Sequence, residues 1–137
     1  MSSFLSQMRA FENLTTDKAE KVFRKTCFEI SNEVISNTPV DSGRAKNNWF
    51  PDINNFSNNT TENTDKTGKQ ALSNVQTKTK SLQLGNTFTL SNNLDYIEKL
   101  EYGWSKQSPN GMVGITLQKF DTILKNVNKG IIWAYKK

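Results

Sequence analysis

The chain has 137 residues, no histidine, a single cysteine and a net charge of +5. Its length is that of one domain, 1–137, and no stretch approaches the roughly 20 apolar residues of a membrane-spanning helix. The absence of histidine excludes a Ser-His catalytic triad, and one cysteine excludes an internal disulfide and a zinc-finger pattern. Met1–Asn13 is too polar for a signal peptide, so we expect a soluble protein made in a reducing compartment, without a membrane partner.

The first predicted element is weak. Met1–Leu14 carries Phe4, Leu5, Met8 and Phe11 at spacings that suit one face of a helix. This segment is predicted to be either a short lead helix or an arm that docks on a neighbouring molecule.

A long helix follows. Asp17 is a candidate N-cap, with Glu20 three residues later as its capping-box partner. The helix is expected to end near Asn37, because Pro39 disfavours helical geometry at the preceding residue. One face carries the apolar residues Ala19, Val22, Phe23, Cys27, Ile30 and Val34. Cys27 is therefore expected to be a buried structural thiol.

The middle of the chain alternates between turns and short elements. Pro39–Gly43 is predicted to form a turn, and Ala45–Pro51 a short strand with Trp49 on one face. Asp52–Lys69 is rich in Asn, Thr and Ser and has almost no large apolar residue. We expect this segment to be a long, mobile surface loop that neighbouring subunits order on assembly.

The next predicted elements are a helix over Gln70–Leu82, a strand over Thr87–Ser91 and a short helix over Leu94–Tyr102. Trp104–Gly111 follows as a loop. Helices and strands are thus mixed along the chain, which indicates an α+β fold.

The last predicted helix, Met112–Lys129, has the most regular pattern of the chain. Its apolar residues are spaced by 4, 3, 4, 3 and 4 positions: Val113, Leu117, Phe120, Leu124, Val127 and Ile131. Gly130 is expected to end it, and Ile131–Tyr135 to form either a closing strand or a docking tail.

Two segments, Thr38–Trp49 and Leu100–Val113, combine Gly- and Pro-shaped turns with charged and aromatic residues, and we call them the signature segments. We expect them to lie near each other or to meet across a subunit boundary, because a rigid turn fixes the direction of its side chains. Neither segment has a catalytic composition. The interpretation is a protein that assembles rather than an enzyme.

Acidic residues are the remaining enzymatic option. Asp95, Glu98 and Glu101 lie close together, but Asp95 and Lys99 suit an ion pair on a solvated helix face. A metal-dependent nuclease needs acidic residues that converge from different elements, and the sequence shows no such pattern. We expect no catalytic residue, no metal and no cofactor, and the positive charge leaves a basic nucleic-acid-binding protein as the alternative.

Four motifs occur in order along the chain. They are Thr38–Arg44 followed by Asn48 and Trp49, then Ser91–Tyr96, Leu100–Gly103, and finally Ser105-x-Gln107-x-Pro109 with Gly111–Val113. This order resembles the tail-completion, or neck, proteins of tailed double-stranded-DNA bacteriophages, which are also called tail terminators or head–tail joining proteins. The motifs span residues 38 to 113. Trp104 and Asn110 depart from the pattern, because smaller residues are more usual there.

The resemblance implies a small, mostly antiparallel sheet packed by a long N-terminal helix and a C-terminal helix. It also implies a structural virion protein that forms a homo-oligomeric ring, commonly a hexamer, at the head-proximal end of the tail. Such a ring ends the tail tube and joins it to the head connector, so the expected partners are the tail tube protein and the connector or adaptor. Genomic DNA would pass through the channel without specific binding. The expected location is the virion neck, after assembly in the host cytoplasm.

The signature residues allow alternatives. Asp41 and Arg44 either pair to lock their turn or reach to the next subunit. Trp49 belongs either to the core or to an interface. Glu101 and Lys106 pair either within the subunit or around a ring. The complete set of candidate interface residues is Asp41, Arg44, Trp49, Glu101, Tyr102, Trp104, Lys106 and Gln107.

Overall fold

The structure, a computed structural model, describes residues 16–136, and the side chains of residues 16–128. The arm or short helix predicted in Met1–Leu14 lies outside the described residues. The described residues form an α+β fold that is about half helical, which confirms the predicted fold class. In chain order its elements are α1 Thr16–Ser36, a 3-10 helix Lys46–Asn48, β1 Phe50–Ile53, α2 Lys69–Lys80, β2 Phe88–Ser91, α3 Ile97–Glu101, α4 Val113–Gln118 and α5 Phe120–Lys136.

The two strands form an antiparallel sheet in which Phe50 pairs with Ser91 and Ile53 pairs with Phe88. The long helix α1 packs against α2 and α5, and α2 also packs on β1. The main core consists of Val34, Ile35, Trp49, Ala71, Val75 and Met112, and the sheet joins it through the partly buried Phe88 and Leu90 of β2. A second cluster, Val22, Leu124 and Val127, holds α5 against the first half of α1.

Helix α1 forms where its apolar stripe predicts it. Val22 and Val34, which lie twelve residues apart on that stripe, are 0% and 4% exposed. Asp17 lies inside the first turn of the helix, so the prediction that it is the N-cap residue is wrong. At the other end, Thr38 Oγ1 donates to the Val34 carbonyl oxygen at 2.8 Å, which satisfies a carbonyl that the helix leaves without a partner.

The predicted strand over Ala45–Pro51 is wrong in its first half, where the chain forms the 3-10 helix instead. The cause is the side chain of Asn48, which is fully buried. Its Nδ2 donates to the carbonyl oxygens of Arg44 and Thr61, and its Oδ1 accepts from the N–H of Thr61. Such side-chain bonds to the backbone compete with a sheet ladder and favour a tight turn. The strand begins only at Phe50.

The loop predicted over Asp52–Lys69 is shorter than expected, because Asp52 and Ile53 belong to β1. Its remainder folds back on the 3-10 helix, where the Asn48 bonds hold it. At its end, Asp65 accepts hydrogen bonds from the N–H groups of Thr67 and Gln70, which caps the start of α2. The Thr67 hydroxyl also donates to this carboxylate and has the largest effect on its pKa. Together these hydrogen bonds lower the pKa of Asp65 to about 2. The mobility of this loop in the free subunit stays a prediction.

The single helix predicted over Met112–Lys129 is in fact two. Its backbone breaks at Lys119, which has φ −95° and ψ 3° and whose N–H donates to the carbonyl oxygens at the end of α4. The chain then continues as α5 through Gly130 to Lys136, so neither the predicted stop at Gly130 nor a closing strand exists. A glycine inside a helix costs only about 1 kcal/mol relative to alanine, which a strongly amphipathic helix tolerates.

Candidate functional site

The two signature segments lie together within one chain, as predicted. The Gln107 side chain spans the gap: its Nε2 donates to the Val40 carbonyl oxygen at 2.9 Å, and its Oε1 accepts from the Val40 N–H at 2.8 Å. Beside it, the hydroxyl of Ser108 donates to the carbonyl oxygen of Asn37. We call the region formed by Thr38–Trp49 and Leu100–Val113 the signature corner.

Trp49 belongs to the core of the corner. It is 5% exposed, and its Nε1 donates to Thr38 Oγ1 at 2.8 Å. Thr38 in turn donates to the Val34 carbonyl oxygen, so the buried indole N–H and the end of α1 share one chain of hydrogen bonds. The alternative of Trp49 as an interface anchor is therefore wrong for this side chain.

Arg44 does not pair with Asp41. Its Nη2 lies 3.1 Å from Glu62 Oε1, and its Nε donates to the Thr61 carbonyl oxygen at 3.4 Å. Asp41 is exposed in the turn. The predicted Asp41–Arg44 pair is wrong because the loop after β1 folds over the 3-10 helix and brings the Glu62 carboxylate to the guanidinium. Glu62 is 90% exposed, so the pair adds at most about 1 kcal/mol.

Glu101 caps the start of α4. Its Oε1 accepts from the N–H groups of Met112 and Val113 at 3.0 and 2.9 Å, and its Oε2 accepts from Gly114 at 2.9 Å. Partial burial alone would raise the pKa of Glu101, but the three backbone donors outweigh it and lower the pKa below its ordinary value. Lys106 does not form an ion pair with Glu101 within the described residues, so that predicted alternative is wrong.

The backbone beside this cap has no room for a side chain. Gly111 adopts φ +81°, and a Cβ there would lie 2.3 Å from the Glu101 carbonyl oxygen. A glycine is therefore required both by the left-handed backbone and by the close approach of α3. The cap and the glycine together fix α3 relative to α4.

Two aromatic side chains project from the corner. Tyr102 is 80% exposed and Trp104 is 72% exposed. Lys99 Nζ lies 5.0 Å from the centre of the Trp104 ring, a cation–π contact, and the backbone N–H of Trp104 donates to the Lys99 carbonyl oxygen. Gly103 between them has φ +85°, and a Cβ there would lie 2.3 Å from the Pro109 carbonyl oxygen. We call Tyr102–Trp104 the aromatic turn. Its backbone is held in place although its rings are exposed.

The remaining candidate residues divide by role. Gln107 holds the corner together, whereas Lys106 is exposed beside the aromatic turn. A cleft of about 250 Å³ opens between the two segments, with Asp41, Arg44 and Gln107 among its lining residues. Asp41, Tyr102, Trp104 and Lys106 are thus available to a partner, while Trp49 and Glu101 act inside the subunit.

Sequence reasoning missed three features. Asn48 is the buried link between the corner and the loop, and its place in the signature was the only available signal. An apolar groove between α1 and α5 and a basic cleft between α1 and α2 were also missed. Lys21, Arg24, Lys25 and Lys80 line the basic cleft. Each surface combines residues of α1 with residues of another helix, α5 for the groove and α2 for the cleft, so no single stretch of sequence shows it whole.

The described residues contain no group of three or more His, Cys, Asp or Glu side chains arranged to hold a metal ion. Burial raises the pKa of the Cys27 thiol to about 12, so the thiol stays protonated at neutral pH and is a poor nucleophile. Within the same part of the chain, no helix is both long and apolar enough to cross a membrane.

The geometry of the corner defines a rigid, partly aromatic surface. Its stabilising contacts come from Glu101, Gln107 and Asn48, each of which binds backbone atoms. Comparison of the chain with known protein families, curated proteins and solved structures finds no match.

Proposed function

We propose that this protein is a structural virion protein of a tailed-phage neck. In this proposal it forms a homo-oligomeric ring at the head-proximal end of the tail, ends the tail tube and joins it to the head connector. The observation that supports the proposal best is the aromatic turn: two rings, 80% and 72% exposed, project from a backbone that glycine and a carboxylate cap hold rigid.

A partner surface is the simplest physical reason for this arrangement. Tyr and Trp are enriched among the residues that carry most of the binding free energy at interfaces, because they bury a large area with few rotatable bonds. Covering two such rings removes roughly 300–500 Å² from water. A rigid turn also lowers the entropy cost of binding, since the interface is already ordered in the free subunit.

The proposed partners are those that the resemblance implies. They are further copies of the chain, in a ring of about six, the tail tube protein and the head connector or adaptor protein. The genome would pass through the central channel without specific contacts. The resemblance of the motifs in residues 38–113 supports this set.

The test is a phage in which this gene carries a nonsense mutation and is complemented with plasmid-borne variants. Without complementation, we expect the electron microscope to show free heads and tails with few joined particles. Complementation with the wild-type gene should restore the joined particles. The double variant Tyr102→Ala and Trp104→Ala is expected to fail. Phe56→Ala is the matched control, because Phe56 is 71% exposed but lies outside the corner. Normal particles without the protein, or its absence from purified virions, would contradict the proposal.

A second candidate is a nucleic-acid-binding protein, and the basic cleft favours it. Lys21, Arg24, Lys25 and Lys80 converge there with a single acidic residue, Glu29, among the lining side chains. A DNA-binding function predicts micromolar or tighter affinity for duplex DNA that falls steeply with salt concentration, and a loss of affinity in Lys21→Ala and Lys80→Ala. Unchanged affinity in both variants would remove this candidate.

A further inference from the structure

The hydrogen-bond pattern of the sheet shows which backbone groups of β2 point away from β1. The N–H of Asn54 donates to the Thr87 carbonyl oxygen at 2.7 Å, one position beyond the last pair of the ladder. Opposite residues of an antiparallel ladder alternate between pairs that exchange hydrogen bonds and pairs that do not. Counted from the pair of Asn54 and Thr87, the N–H and carbonyl groups of Phe88 and Leu90 therefore point away from β1. We call this side the outer edge of β2.

The corresponding edge of β1 offers no free N–H group. By the same alternation, the backbone groups of Pro51 and Ile53 point outward from β1. Proline has no N–H, and the N–H of Ile53 is already bound by Asp52 Oδ1 at 2.8 Å. Prolines and charged side chains are common means by which an edge strand avoids pairing with another chain. A further strand is therefore not expected on β1.

The outer edge of β2 has no such protection. Among the described residues, the outward N–H and carbonyl groups of Phe88 and Leu90 have no hydrogen-bond partner. Every residue of β2 is half-buried rather than buried. Residues 86–93 carry neither a charged side chain nor a proline. Unpaired backbone groups on such an edge are a template for a further strand.

This edge selects the kind of segment that can bind it. Outward groups at every second residue require an extended backbone, as in other proteins that add a strand to a sheet edge. Phe88 and Leu90 pack their side chains on the core, so Thr89 and Ser91 face the opposite side of the sheet. A strand that extends the sheet must repeat this alternation, apolar toward the core and polar on the other side. The sequence of β2 itself has that alternation.

We propose that β2 of one copy pairs antiparallel with β2 of a second copy, about a two-fold axis at Thr89. The result is a homodimer with one continuous sheet in the order β1-β2-β2-β1. In this register Phe88 lies opposite Leu90 of the second copy, and the outward N–H and carbonyl groups of both strands bind one another. The two Thr89 residues lie opposite each other at the axis.

Two features favour a second copy over a strand of another protein. Phe88 and Leu90 are placed symmetrically about Thr89, so a single register satisfies the outward groups of both strands at once. The pairing also brings only neutral residues opposite one another, and two threonines at directly opposite positions are a favourable cross-strand pair. Because β1 lacks free N–H groups, copies cannot add β2 to β1 in an endless sheet.

The inference goes beyond the ring function proposed above and does not depend on it. A contact between identical surfaces closes after two copies, whereas the contacts of a ring are head-to-tail. The paired strands are short, and their contact is much smaller than the roughly 800 Å² per partner of a standard stable interface. The dimer is therefore expected in concentrated protein and should dissociate on dilution.

Disulfide trapping tests the register. In a Cys27→Ser background, Thr89→Cys places the two thiols opposite each other at the axis, where Cβ atoms of paired strands are about 4.5–5.5 Å apart. Oxidation of concentrated protein should give a dimer on a non-reducing gel. Ser91→Cys is the matched control on the same face, because it lies opposite residue 87 and roughly 13 Å along the strand from its own copy. It should stay monomeric alone and form dimers when mixed with Thr87→Cys protein.

A charge at the axis tests the dimer without a cross-link. Thr89 lies opposite Asp52 within its own sheet, so Thr89→Lys gains an opposite charge inside the subunit. Across the axis it brings two lysines together, which should weaken the dimer at least tenfold in sedimentation equilibrium. Thr77→Lys, the same change at an exposed position of α2, is the control and should leave the dimer unchanged. Thermal melts check that both variants remain folded.

Each outcome decides the question. Dimers that Thr89→Cys traps, Ser91→Cys alone does not trap, and Thr89→Lys dissociates support the pairing of β2 with β2. Equal trapping by Thr89→Cys and Ser91→Cys would overturn it, as would a dimer that Thr89→Lys leaves intact. A wild-type protein that stays monomeric when concentrated would also overturn it, and would leave the edge to a strand of another protein.

Discussion

Replacing Glu101 by alanine should destabilise the subunit by about 3 kcal/mol. The change removes the acceptor of three backbone N–H groups. Met112 is fully buried, so its N–H is left without a partner, at a cost of about 1–3 kcal/mol. The loss of the helix cap adds about 1 kcal/mol. The Val113 N–H lies on an exposed residue and can bind water instead, so it adds little.

Urea unfolding followed by tryptophan fluorescence measures this effect. The control is Glu98→Ala on the same short helix, an exposed change that should alter the unfolding free energy by no more than about 0.5 kcal/mol. Glu101→Gln keeps one oxygen acceptor and should fall between the two. If Glu101→Ala costs no more than Glu98→Ala, the carboxylate does not hold α4, and the rigidity argued for the aromatic turn is lost.

Three further predictions concern the backbone, the buried amide and pH. Gly103→Ala should cost clearly more unfolding free energy than Gly85→Ala, because both glycines have positive φ but only the first would clash; equal losses in thermal melts would contradict this. Asn48→Ala should cost about 2–3 kcal/mol in urea unfolding, because it leaves buried backbone groups unpaired, whereas Asn58→Ala on the exposed loop should be neutral. The pKa of Asp65 is lowered from 3.8 to about 2 on folding. The stability that this carboxylate adds to the folded state is therefore present above pH 3.8 and is lost as the pH falls toward 2. Asp65→Asn should therefore flatten that part of the stability–pH profile, and an unchanged slope would refute the assignment.

The sequence predicts those parts of the fold that depend on local periodicity. Helix α1 follows its apolar stripe, and α2 and β2 fall within about two residues of their predicted bounds. The proximity of the two signature segments was also predicted, from their shared use of rigid turns. These features are local, or follow from turn chemistry that a short stretch of sequence displays.

The features that the sequence did not predict depend on contacts between distant residues. Asn48 selects a 3-10 helix over a strand because it binds the backbone of Thr61, thirteen positions away. Glu101 was expected to pair with a cation but binds N–H groups of a helix that begins twelve positions later. The break at Lys119 has no Gly or Pro to mark it, and Gly130, which suggested a stop, lies inside α5.

The link between Gln107 and Val40 has a consequence for sequence variation. Gln107 recognises both the N–H and the carbonyl oxygen of residue 40 and no atom of its side chain. Selection for this link therefore constrains codon 107 tightly and codon 40 hardly at all. Proline is the exception at position 40, because it has no N–H to donate. In a saturation library scored for folded protein, position 40 should accept many residues other than proline, whereas position 107 should accept few besides glutamine.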